Sequence, residues 1–360
     1  MLAGRDRLPD RRVALGRCGP LLRPKRLLIT GILLDAKGGR RYFLNFYARR
    51  TLRIFPLYYG LLAGVAVACV LWPDSPVAAT FRGRGFWLWS YLSNVETARH
   101  GWVYEAPGGF SLNHLWSLAV EEHFYLVRPA VVLLLGRRGL LATCAGLCVL
   151  AAAARYWFVA RHQPLTAYVL TPCRIDTIAI GAAVAVAARW VGVRRLVVPA
   201  MVTGSTAAVS VVVLALRLRG LPAGDRLTML YGLPAVGWAA GSVLVLCVAV
   251  GRTSIAGRAI SVPPLRFLGR YSYGLYVYHL PVTVLLPFVG RLLPGVPWSA
   301  LVLAGGCLLA LAAAVASYHL FERPILRLKR YFPMERPVPA NRGTGEQASA
   351  TAGAGRPVGR

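Results

Sequence analysis

The chain has 360 residues, of which 56% are hydrophobic and only 15% charged, and its mean hydropathy is +0.54. Soluble domains carry about 25% charged residues, so this composition excludes that class and places the chain in a lipid bilayer. The net charge of +29 does not redirect it to nucleic acid, because a basic groove needs polar surface that so apolar a chain lacks.

Residues 1–26 are rich in Arg, Gly and Pro, and no long apolar run follows their basic part, so they do not read as a secretory signal. The apolar stretch from Leu27 to Leu34 is too short to cross and reads as a truncated helix. A spanning helix needs about 20 apolar residues. Runs of that length fall at 54–72, 115–135, 139–158, 171–188, 196–216, 228–250, 272–291 and 299–321. Trp-rich Gly85–Val95 is shorter and reads as re-entrant or interfacial. From Met334 to Arg360 no apolar period remains, which predicts disorder. The expected fold is therefore all-α, a polytopic membrane helical bundle of about eight full spans and one partial span. Its expected divisions are a basic segment 1–26, a membrane domain 27–330 and a disordered cytoplasmic tail 331–360.

Cytoplasmic loops are enriched in Lys and Arg. Placing Asp35–Arg53 inside puts 19 Lys/Arg on the cytoplasmic face and 9 on the other, with the C-terminus also cytoplasmic. The seven cysteines lack paired spacing and read as small core residues. Cys144 and Cys148 share a helix face, but two thiols make no zinc site, and no metal is expected.

Polar residues inside apolar runs are costly, about 3 kcal/mol each on insertion scales, and so point to function. Arg50 and Arg53 are three apart and share a helix face. They fit either a phosphate clamp or anchoring at lipid head groups. Glu121 and Glu122 interrupt the run that begins at Trp116, and a helix turns them about 100° apart, so they cannot line the same narrow wall. Asp176 has Arg174 as its expected local partner. With Asn94 and several tryptophans, these acids suit a hydroxyl-bearing acceptor, although an aromatic belt explains the tryptophans equally well. His279, flanked by Tyr273, Tyr276 and Tyr278, is placed either to move a proton or to donate to a carbonyl freed by Pro281. Glu322 falls where a helix dipole disfavours an anion. It either pairs with Arg50 or Arg53 or belongs to an acid/base site.

Six segments, in order, resemble the acyltransferase 3 family of bacterial multi-spanning enzymes that modify sugars, lipids and natural products. They are Leu28-Ile-Thr-Gly-Ile-Leu-Leu34, Phe46–Tyr59, Trp116-Ser-Leu-Ala-Val-Glu-Glu-His-Phe-Tyr125, Ile175-Asp-Thr-Ile-Ala-Ile-Gly181, Tyr271–Pro281 and Phe321-Glu-Arg-Pro324. The resemblance implies transfer of an acyl group, often acetyl from acetyl-CoA, to a hydroxyl of a carbohydrate, lipid or secondary metabolite at the plasma membrane. Acyl-CoA is then a co-substrate, with no other cofactor. Carried onto this chain, Glu322 and His279 become the catalytic residues. Arg50 and Arg53 bind the donor's phosphates, with Arg270 as auxiliary, and Trp116, Glu121, Glu122 and Asp176 contact substrate. A transporter or flippase is the competing reading, since intramembrane acids also mark transport paths; a catalytically dead relative is the third.

The family's first membrane helix carries a basic residue and, further along, a catalytic His. Here no His precedes His100. The switch at Leu27–Leu28 therefore resembles a frame change or misplaced start, which would leave the chain without that helix and impaired. Translating the upstream DNA in three frames is expected to yield an apolar helix with a basic residue and a following His that continues into Leu28. Finding no such helix would remove this explanation.

Overall fold

A computed structural model describes residues 29–251, 254–293 and 295–334. Segment 1–26 and residues 335–360, on which part of the expected organisation rests, lie outside the described residues. The described chain is helical: α1 (Ile29–Ala36), α2 (Tyr42–Leu71), α3 (Pro76–Phe81), α4 (Gly85–Trp89), α5 (Ser93–His100), α6 (Trp116–Leu134), α7 (Arg137–Ala160), α8 (Pro164–Val169) and α9 (Thr171–Ala187). There follow α10 (Val197–Leu218), α11 (Leu233–Ala249), α12 (Ile255–Ala259), α13 (Pro263–Tyr278), α14 (Leu286–Leu292), α15 (Trp298–Ala300), α16 (Gly306–Ser317) and α17 (Arg323–Arg327).

Five helical stretches are long and apolar enough to cross a membrane, and a sixth arises if the bent pair α13–α14 counts as one span. Together they make the chain an all-α polytopic membrane protein. This count, made by length and composition, departs from the eight expected runs at two places. Glu121, Glu122 and Arg128 make α6 too polar to qualify by composition. Runs 171–188 and 196–216 lie within one 55-residue helical stretch, Pro164–Leu218. At 1.5 Å per residue that stretch would measure about 80 Å if straight, more than twice a bilayer's apolar thickness. It breaks at Gly192, whose φ of 86° only glycine adopts easily, between a widened turn and a tight one. Gly85–Val95 forms the short α4 and the start of α5, as its length requires.

At about 45 Å, α2 exceeds the roughly 30 Å apolar layer, so the arginines in its first turns lie toward one boundary. α7 packs along α9, α10 along α11, and α13 along α16. Gly274 makes the last contact possible, because a Cβ there would stand 3.0 Å from that of Ala314. Val70, Leu134, Leu216 and Leu320 remain exposed, as lipid-facing side chains do. The core nearest the site joins Leu57, Tyr58, Tyr91, Tyr104, Leu115 and Val277.

Two local expectations are corrected. Arg174 is not the partner of Asp176; residues two apart on a helix diverge. Asp176 instead pairs with Arg155 of α7 at 2.8 Å, the side chains 6% and 2% exposed, while Arg155 also donates to the Cys173 carbonyl at 2.5 Å. The tail's first residues, 331–334, are not free either. Asn45 donates to the Pro333 carbonyl at 2.6 Å and Arg49 to those of Lys329 and Phe332 at 3.0 and 3.1 Å, because a helix end leaves carbonyls without partners.

Removing one member of a buried ion pair strands the other. Asp176→Ala is expected to cost about 3–5 kcal/mol, read as a lowered midpoint in detergent unfolding. Replacing both partners by apolar residues should cost much less.

Candidate active site

α2, α6 and α13 converge on a cavity of about 310 Å3 lined by Ile29, Arg50, Arg53, Ile54, Leu118, Glu121, Tyr125, Ser272, Tyr273 and Tyr276. Helical spacing explains the set. Arg50 and Arg53, Leu118 and Glu121, Glu121 and Tyr125, and Tyr273 and Tyr276 each stand three or four apart on one face. Tyr125 donates to Glu121 Oε2 at 3.1 Å, and the Arg50 guanidinium lies 3.7 Å from the centre of the Tyr125 ring. A cation over a phenol face is favourable without being neutralised, and Arg50 Nε is buried with no hydrogen-bond partner. Tyr273 donates to the Ile54 carbonyl at 2.8 Å, tying α13 to the arginine-bearing helix.

Glu122 points away from this wall, as its 100° rotation from Glu121 requires. Its electrostatic neighbours are Arg50 and Glu121, and its Oε1 is buried without a partner. Glu322 is 8% exposed, in a widened turn, Tyr318–Glu322, and accepts from Ser317 at 3.5 Å. Arg53 and Lys329 are the cations acting on it. Among the described residues, however, neither Arg50 nor Arg53 forms an ion pair with it within 4.0 Å.

Above the cavity, α13 breaks at Pro281, bending by 68° into the next segment. Proline has no N–H, so the Val277 carbonyl four residues earlier loses its helical donor. His114 supplies it, its Nε2 donating at 3.1 Å. The residue filling the gap is thus His114, not His279. His279 Nδ1 donates to the Tyr276 carbonyl at 2.7 Å. Since a carbonyl only accepts, Nε2 of the exposed His279 carries the lone pair when the ring is neutral. The two imidazoles meet edge to face, 4.7 Å between centroids. Tyr276 donates to the His114 carbonyl at 2.7 Å and makes a short hydrogen bond with Ser117. Tyr276 and Ser272 also line an adjoining groove that contains His279.

Other expected site residues lie elsewhere. Trp116 is buried against Tyr168 and Arg174. Asn94 is buried and bonded to Thr171, and Asp176 is held by Arg155, so these residues tie helices together and present no open acceptor surface. Arg270 is exposed and does not line the cavity. Sequence reasoning passed over Ser117, Tyr125 and the structural bond of His114. The spacing of Glu121 to Tyr125 was a usable signal, whereas the His114–Val277 contact joins residues far apart in the chain.

Two arginines, a carboxylate and three phenols facing one cavity between apolar helices make this a polytopic membrane protein with a charged, polar site. The chain belongs to a known family of this kind: the acyltransferase domain family matches residues 27–319. It is 30% identical over 312 residues to YrhL of Bacillus subtilis, named as a candidate peptidoglycan O-acetyltransferase, covering 83% of this chain and 48% of that protein. It is 27% identical over 316 residues to the peptidoglycan O-acetyltransferase OatA of Listeria monocytogenes, covering 83% and 49%. With the O-acetyltransferase OatA of Staphylococcus aureus, the identity is 26% over 280 residues, covering 71% and 44%. The chain thus spans about half the length of the curated relatives it matches. No solved structure matches it.

Leaving a buried carbonyl unsatisfied costs about 1–3 kcal/mol, so His114→Phe should lower the unfolding free energy by that amount, read as a lowered midpoint. Pro281→Ala restores a helical donor, and His114→Phe should cost clearly less in that background. Equal cost in both backgrounds would separate His114 from the break.

Proposed function

We propose that the protein is a multi-pass acyltransferase of the bacterial plasma membrane that moves an acyl group, most simply acetyl, from acyl-CoA to a carbohydrate hydroxyl. One observation carries this reading: Arg50 and Arg53 share a cavity with Glu121 and three phenols, next to an exposed imidazole with a free lone pair. Guanidinium groups take phosphate oxygens in pairs, which suits the donor's phosphates at Arg50 and Arg53. The orientation goes with it: by the distribution of Lys and Arg, the arginine end of α2 and the C-terminus face the cytoplasm, where acyl-CoA is found. The carbohydrate acceptor is supported by the names of the relatives. Family membership favours the enzyme over the transporter.

In the reaction, the acceptor hydroxyl gives its proton to His279 Nε2 while its oxygen attacks the thioester carbonyl. The carbon–sulfur bond breaks, the acyl ester forms, and the sulfur leaves as a thiolate. The proton held by His279 ends on that thiolate as the free thiol of CoA. Hydrogen-bonded to its own helix, His279 is oriented before substrate arrives. Glu322 stands at the donor end with Arg53, where its charge moderates the local positive field. Tyr276, common to cavity and groove, joins the donor end to the imidazole.

Donor binding by the purified chain can be read by calorimetry without turnover. Arg53→Ala should weaken acetyl-CoA binding about tenfold, as loss of one charge-assisted hydrogen bond does. His279→Gln should leave that binding unchanged while reducing transfer to glycan. An Arg53→Ala affinity equal to that of the unaltered chain would remove the phosphate assignment.

A further inference from the structure

A second buried cation lies outside the cavity just described. Arg128, on α6, is 8% exposed and lines another cavity of about 310 Å3, bounded by α1, α6, α7 and α9. It donates to the Thr30 hydroxyl in a short hydrogen bond, and its guanidinium lies 5.1 Å from the Phe124 ring centre. Its Nε is buried with no partner. Among the described residues, no carboxylate forms an ion pair with it; the groups acting on it are the Tyr125 and Tyr42 phenols, the Cys144 thiol and the like charge of Arg50. A hydroxyl and a ring face do not neutralise a guanidinium, and buried charges are normally paired. The rest of the wall is mostly apolar, with Val131, Val132, Leu140, Leu147 and Val186; of its polar members, His123 and Thr171 bond to each other at 2.8 Å. The cavity therefore suits a molecule with one anionic group on an apolar body.

We propose that this cavity binds one acyl chain of an anionic phospholipid, with the lipid phosphate on Arg128. The inference is independent of the acyl-transfer reading. Arg128 stands about 9 Å before the end of α6 at Leu134, at 1.5 Å per residue. Arg137 and Arg138 follow that end, and Lys37 donates to the Leu135 carbonyl there at 2.8 Å. Positive charge thus marks this boundary as the head-group side, with Arg128 one step deeper. Val127, which lines the cavity, is itself 57% exposed, so the mouth lies among lipid-facing side chains. A guanidinium at this depth takes two phosphate oxygens at once while the chain runs along α6 and α7.

The test exposes the full chain in nanodiscs to phosphatidylglycerol or phosphatidylcholine with identical diazirine-bearing chains, and separately to a diazirine fatty acid; labelled peptides are then mapped. Phosphatidylglycerol should label the 140–147 stretch about tenfold more than phosphatidylcholine, whose choline cation offsets the same phosphate and stands as a like charge near Arg128. Arg128→Gln should bring labelling down to the phosphatidylcholine level, and Arg128→Lys should retain most of the excess. Cys144→Trp, which fills the cavity without changing charge, should abolish labelling. Equal labelling by the two phospholipids, labelling by the fatty acid alone, or undiminished labelling of Cys144→Trp overturns the proposal. The ratio on the unaltered chain decides even if Arg128→Gln does not fold.

Discussion

The hydrogen bond from His114 to the Val277 carbonyl is the contact on which the arrangement of the site depends. A proline four residues after a carbonyl deprives it of its donor, and in an apolar surrounding no water replaces that donor. By filling the gap from the short turn before α6, His114 lets α13 stop, bend and still be satisfied. The same juncture places Tyr276 against Ser117 and brings His279 beside the buried imidazole. The proline makes the break, and the one carbonyl that His114 satisfies keeps phenol and exposed imidazole beside it.

The charges below it follow another rule. Arg50, Glu121 and Glu122 are neighbours and Glu322 stands with Arg53 and Lys329, yet none of the three carboxylates closes an ion pair within 4.0 Å among the described residues. Arg50 rests on a phenol face, Glu121 accepts from that phenol, and Glu322 accepts from Ser317. Arg155 and Asp176, in contrast, pair at 2.8 Å inside the bundle. The second arrangement saturates both charges and serves packing. The first leaves a guanidinium nitrogen open, as a binding site requires.

Much of this was legible in the chain. Apolar run length predicted the helical membrane class, and intramembrane polar residues singled out Arg50, Arg53, Glu121, Glu122, His279 and Glu322. Helical rotation alone separated Glu121 from Glu122. What the sequence hid were choices between partners. Asp176 had Arg174 nearby in sequence, but the helix turned that arginine onto Trp116 and Tyr168, and Arg155 arrived from another helix. Pro281 announced a free carbonyl, but which histidine reached it depended on α6 and α13 meeting. A count by length and composition departs from the eight apolar runs where α6 carries its polar residues and where one helical stretch breaks at Gly192, since neither length nor mean hydropathy records a bend.

The anchoring of residues 332 and 333 on α2 has a mechanical consequence. Asn45 and Arg49 grip the end of the last helix from the same turns that present Arg50 and Arg53 to the cavity. Tension or steric load applied just behind Met334 is therefore delivered to the arginine-bearing helix itself. A fusion partner attached there without a spacer acts as a lever on the cavity, so its position in the chain is a poor guide to how remote it is from the chemistry.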